Sequence, residues 1–269
     1  MTTQGTQGTE GTHHRQHRHR PPPLPLRPVL DEFYLTTVLL FLAVSVVRWL
    51  RYPTSPAFIS SLHASLYVIG PIFGAIIIGL ILSPWGRRSG GHLNPAITVA
   101  LWLMDVFPGK SVVPYVTAQL AGSVLGAAVA RGVWGTPVSS QAVIYGAVRS
   151  DPSWVAADVF LAESFAVTGV MVMTGGFLAH PRHSNLLPYA IGAYIAASIA
   201  FLGPYSGGSI NPARQFGPAL LGLNLHYLWI YLLAPMLGAV LGAALHHLLA
   251  RRFDTHEPLT YKLQGHQQH

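Results

Sequence analysis

The stretch SGGHLNPAITVA at residues 89–100 returns, little changed, as SGGSINPARQFG at residues 206–217. Each copy places Asn-Pro-Ala shortly after Ser-Gly-Gly, and each lies between long apolar segments. Asn is a strong helix N-cap and Pro suits the first helical position, so each tripeptide reads as the start of a helix. The apolar runs that follow, near 94–104 and 211–221, are short. Eleven residues of helix rise only ~16 Å, about half a hydrocarbon core. A helix that starts at such depth exposes unpaired N–H groups, which lipid does not tolerate; protein or a water-filled cavity must surround them. Two half-helices meeting end to end would cross the membrane once between them.

Composition agrees with a membrane setting. Only 9% of the 269 residues are charged and 51% are hydrophobic, where soluble domains carry roughly 25% charge. Six long apolar runs lie near 30–50, 61–83, 111–133, 154–178, 187–203 and 226–250. The chain also repeats itself: DEFYLTTVLLF at residue 31 and AESFAVTGVMV at residue 162 open two halves and put Glu32 and Glu163 in matching places. Short interrupted segments in corresponding positions are the mark of a duplicated membrane fold. Three spans per half is an odd number, so the halves must be inverted. The expected fold is an all-α membrane protein with six transmembrane helices and two re-entrant half-helices. A membrane domain at 29–252, with inverted repeats at about 29–148 and 151–252, would lie between tails at 1–28 and 253–269.

The net charge of +7 is distributed as a topology signal rather than a nucleic-acid surface. With the N-terminus inside, the inner side holds Arg15, Arg18, Arg20, Arg27, Arg87, Arg88, Lys110, Arg182, Arg251, Arg252 and Lys262; the outer side holds only Arg48, Arg51, Arg131 and Arg149. Both termini are therefore expected in the cytoplasm, with no cleaved signal peptide. The absence of cysteine excludes disulfides and thiolate chemistry. The N-terminal tail is Gly-, Thr-, His-, Arg- and Pro-rich and is expected to be disordered; its His13, His14, His17 and His19 suggest no defined metal site. No cofactor is implied.

In the Asn caps the side-chain carbonyl binds the helix and the NH2 stays free. If the half-helices meet, both NH2 groups and two positive dipole ends converge on one spot at the midplane. A passing water would accept from both, while cations would meet an unfavourable field.

At this point the chain resembles the aquaporins, or major intrinsic proteins, over about residues 30–250. GHLNPAITVA and GGSINPARQFGPA carry most of the specificity; Glu32, Glu163, Gln119 and Pro235 fall where that family has such residues. The resemblance implies a homotetramer in a cell membrane, with one pore per subunit for water and small neutral solutes. Its pore motifs would be Asn94, Pro95 and Ala96 with Asn211, Pro212 and Ala213. It implies an outer constriction formed by Arg214, Gly208, Ile199 and either Gly74 or, one residue earlier, Phe73. Glu32 and Glu163 would brace the loops, and His92 would stand at the inner mouth, packing the loop rather than sensing pH. Ile199 and Gly208 suggest a wider, less polar constriction than in strict water channels. Gln215 and Ala219, however, depart from the glycerol-facilitator pattern, which leaves water and broader neutral-solute permeation both open. A secondary transporter would need an ionisable relay; Glu32, Glu163, Arg214 and Asp158 form no obvious pair. A non-conducting scaffold would have no use for Asn94, Asn211 and Arg214, and no nucleophile–base set suggests an enzyme.

Overall fold

A computed structural model describes Leu26–Arg252. The expected tails, with the N-terminal histidines, lie outside the described residues, except that residues 26–28 already belong to the first helix. Nine α-helices form the described chain: α1 (Leu26–Arg51), α2 (Leu62–Leu82), α3 (Pro84–Ser89), α4 (Pro95–Leu103), α5 (Val112–Trp134), α6 (Ala156–Leu178), α7 (Leu187–Leu202), α8 (Pro212–Leu221) and α9 (Leu228–Arg252). Six segments are long and apolar enough to cross a membrane, within a few residues of the apolar runs. α4 and α8 are the expected half-helices.

Helix ends follow local chemistry. Pro28 sits in the first turn of α1, where a missing N–H costs nothing, so the helix starts earlier than the polar tail suggests. Ser61 caps α2 by accepting from the Ala64 N–H. Ser83 ends α2 and caps α3, accepting from Gly86 N–H at 3.1 Å. Gly135, at φ 70°, stops α5.

The packing reproduces the inverted repeat. α1 lies along α5, α6 along α9, and α2 along α7, so the first two pairs exchange and the third maps onto itself. Lipid supplies no hydrophobic drive between helices, and close approach of small residues takes its place. At the α2–α7 crossing, a Cβ on Gly70 would stand 2.5 Å from the Ala196 carbonyl oxygen, and one on Gly74 would stand 2.5 Å from that of Gly192. These glycines let the two backbones touch.

The loops before the half-helices are near copies. Gly90, Gly91 and Leu93 have φ of 97°, 59° and 56°; Gly207, Gly208 and Ile210 have 94°, 58° and 43°. Such left-handed geometry is open to glycine and strained for Leu or Ile, so outside contacts must hold it.

Candidate functional site

Those contacts come from two buried carboxylates. Glu32 accepts from Ser89 Oγ (2.7 Å), His92 N (2.9 Å), Leu93 N (2.8 Å) and Gln119 Nε2 (2.7 Å). Glu163 accepts from Ser206 Oγ (2.8 Å), Ser209 N (3.0 Å) and Ile210 N (2.6 Å). Two tyrosines complete the copies: Tyr115 donates to the Ser89 carbonyl at 2.8 Å, and Tyr231 to that of Ser206 at 2.7 Å. The sequence reading passed over both tyrosines. The signal was present, because each lies four residues before the paired Gln119 and Pro235.

The braced loops deliver the Asn caps. Asn94 Oδ1 accepts from Ala96 N at 2.9 Å; Asn211 Oδ1 accepts from Ala213 N at 2.9 Å and from Arg214 N at 3.3 Å. Pro95 and Pro212 follow as the first helical residues, and Ala96 and Ala213 are fully buried. The sequence suggests that both NH2 groups are free, but neither is entirely so. Asn94 Nδ2 donates to the Ile210 carbonyl and Asn211 Nδ2 to the Leu93 carbonyl, each at 2.9 Å. This reciprocal pair ties the half-helices across the junction. An amide NH2 carries two hydrogens, so one N–H of each Asn remains beyond the tie.

Asn94 and Asn211 both line a narrow cavity of about 60 Å³, enough for a short file of waters. Its lining includes the apolar side chains Phe73, Ile77, Ile97 and Ile195 together with the loop residues 90–94 and 209–211. A second cavity of about 320 Å³ lies on the far side of Arg214, which lines both. Residues on one element step from one cavity to the other. Ile195 borders the narrow cavity and Gly203 the wide one, with Ile199 between; Ser209 borders the first and Gly207 the second, with Gly208 between. Ile199 and Gly208 also touch, since a Cβ on Gly208 would stand 3.4 Å from Ile199 Cα. Along the chain both fall between residues of the two cavities, although neither borders either cavity itself.

On α2 the two candidates Phe73 and Gly74 face different ways. Gly74 faces the α7 backbone, whereas Phe73 lines the narrow cavity, with the Arg214 guanidinium carbon 6.0 Å from its ring centre. Gly74 falls on the helix-contact face of α2, one residue after the first of the lumen stripe Phe73, Ile77, Ile81.

Two polar atoms on this wall lack a partner among the described residues: His92 Nε2 and Arg214 Nη1, both buried. The other His92 nitrogen, Nδ1, lies 3.0 Å from Thr98 Oγ1. Its ring is held between Phe107 and Tyr115, with centroids at 4.7 and 5.2 Å. Asp158, weighed as a relay, instead accepts from the Val155 N–H at the start of α6. Among the described residues there is no cluster of three or more metal-ligating side chains.

The comparisons with known proteins agree with this architecture. A family model for the major intrinsic proteins matches residues 22–246. The chain is similar to the probable aquaporin NIP7-1 of Arabidopsis thaliana, with 32% identity covering 81% of this chain and 74% of that one. It is similar to the probable aquaporin AqpM of Archaeoglobus fulgidus, with 35% identity covering 69% of this chain and 77% of that one. It also resembles the propanediol uptake facilitator PduF of Citrobacter freundii, at 30% identity covering 81% and 90%. The X-ray structure of an aquaglyceroporin from Plasmodium falciparum shares the fold, with a TM-score of 0.72 at 23% identity over 85% of this chain and 98% of that one. With two Asn-capped half-helices on one lumen and a family match over most of its length, the chain belongs to the major intrinsic protein family, whose members are multi-pass membrane channels for water or small neutral solutes rather than enzymes.

Proposed function

We propose that this chain is a passive pore that conducts water in single file, admits some small neutral solutes and excludes ions and protons. The observation that carries this reading is the reciprocal Asn94–Asn211 pair on the wall of one narrow lumen. A water at that point accepts from the remaining N–H groups, so its own hydrogens turn away from its neighbours in the file. The N-termini of α4 and α8 point their positive ends at the same place, which disfavours any cation there. Arg214, Phe73, Ile199 and Gly208 form the outer constriction. Arg214 Nη1 and His92 Nε2, unpartnered among the described residues, serve the passing oxygens and hydrogens. Glu32 and Glu163 brace the loops and relay no protons, since their oxygens are occupied by fixed donors.

The pore unit spans 29–252, with repeats 29–148 and 151–252. We place it in the cell membrane as a homotetramer with both termini cytoplasmic, from the family resemblance and the distribution of Lys and Arg.

A second reading, a broader facilitator for polyols or urea, draws support from the apolar residues along the narrow cavity. The printed name of PduF, a propanediol uptake facilitator, points the same way. A permeability panel in proteoliposomes separates the two, using water, glycerol, urea, ammonia and hydrogen peroxide. The expected result is water first, with glycerol slow in the native chain and severalfold faster in Phe73→Ala. Glycerol conducted as readily as water by the native chain would favour the broader facilitator.

A further inference from the structure

The inner face of α5 carries three polar side chains one turn apart: Tyr115, Gln119 and Ser123. The first two serve the loop before α4. Tyr115 holds the Ser89 carbonyl, and Gln119 donates to Glu32 and to Thr98 Oγ1 (3.0 Å). Ser123 serves the other half-helix. Its hydroxyl donates to the Ala213 carbonyl and accepts from the Gly217 N–H at 2.9 Å. Those two groups are the acceptor and donor of one i, i+4 rung of α8, so a side chain from a neighbouring helix bridges the rung from outside. Gly217 permits the approach, since a Cβ there would stand 2.5 Å from the Ser123 carbonyl carbon. The next rung is absent by chemistry, because Pro218 has no N–H to offer the Arg214 carbonyl.

Arg214 therefore sits between a rung bridged by α5 and a rung that cannot form. The repeat supplies an internal control. On α9 the matching positions are Tyr231, Pro235 and Ala239, and the residue matching Ser123 has no hydroxyl. The rung of α4 that corresponds, from Ala96 to Ala100, receives no such bridge. Only the half-helix that carries the arginine is held in this way.

We propose that Ser123 is a positioning residue for Arg214, fixing the first turn of α8 and with it the place of the guanidinium in the constriction. This rests on the reading of Arg214 as part of that constriction. The test is a double-mutant cycle in the full-length chain, reading the ratio of sodium leak to water permeability in proteoliposomes. Ser123→Ala is expected to raise that ratio about threefold to tenfold, the scale of one or two lost hydrogen bonds. In the Arg214→Val background the same substitution is expected to change nothing, because residues that act through one another are non-additive. Ser123→Thr keeps the hydroxyl and is expected to restore the native ratio. An equal factor in both backgrounds, or no change in the native one, would overturn the proposal. An Arg214→Val ratio identical to the native one would instead overturn the constriction reading beneath it. Should Ser123→Ala fail to fold, Ser123→Cys, whose thiol bonds more weakly, goes through the same cycle with the same two outcomes.

Discussion

Arg214→Val is expected to raise sodium and proton leak by at least about tenfold, while water permeability holds or rises. The expectation follows from where the side chain stands. Arg214 lines both the narrow lumen and the outer cavity, so a molecule moving from one to the other would pass it. A unit charge 4 Å from a second one of the same sign costs about 4 kcal/mol at an effective dielectric of 20, which lowers cation occupancy by roughly a thousandfold. The dipoles of α4 and α8 remain after the substitution, so only part of that barrier is lost. Water loses a hydrogen-bonding station and gains width. Reconstituted vesicles carrying a pH-sensitive dye and a sodium gradient measure both leaks beside the osmotic response. Unchanged exclusion would remove Arg214 from the constriction.

The largest effect on stability is expected at Glu32. Glu32→Ala strands four buried donors, namely Ser89 Oγ, His92 N, Leu93 N and Gln119 Nε2. Each buried donor left without an acceptor costs about 1–3 kcal/mol, so the sum is comparable to the ~5–15 kcal/mol that holds a typical fold together. The variant should give little monodisperse protein in detergent. Glu163→Ala strands three donors, on Ser206, Ser209 and Ile210, and should be impaired less. Gln at either position keeps one acceptor oxygen and should be milder still, although its NH2 must face a backbone N–H. Size-exclusion profiles and thermal melts read by tryptophan fluorescence check this order. A Glu32→Ala protein with native yield and melting temperature would show that the loop stands without its carboxylate.

Much of this was written locally. A cap and a helix starter repeated inside apolar sequence fix α4 and α8, and the matching Glu32 and Glu163 reveal the duplication. What local pattern could not supply was the side a helix turns to its neighbours. Gly74 and Phe73 are adjacent, and only the α2–α7 crossing decides that Gly74 meets Gly192 while Phe73 meets the lumen. Asn94 Nδ2 looks free in sequence because its acceptor, the Ile210 carbonyl, is 116 residues away. Ser123 was invisible for the same reason, since its two partners belong to the other half of the chain. Tyr115 and Tyr231 were legible, by contrast, once the two halves were aligned at Gln119 and Pro235.

The chain has no cysteine, which makes one measurement especially clean. Ile195 lines the narrow lumen, while Phe165 is 79% exposed on the outside of the helical bundle. Osmotic shrinkage of proteoliposomes is followed for the native chain, Ile195→Cys and Phe165→Cys, before and after a small thiol-reactive reagent. If water runs in file past the abutting half-helices, all three shrink far faster than empty vesicles, and the reagent stops Ile195→Cys alone. Native shrinkage no faster than that of empty vesicles, or an Ile195→Cys rate untouched by a bound label, would contradict it.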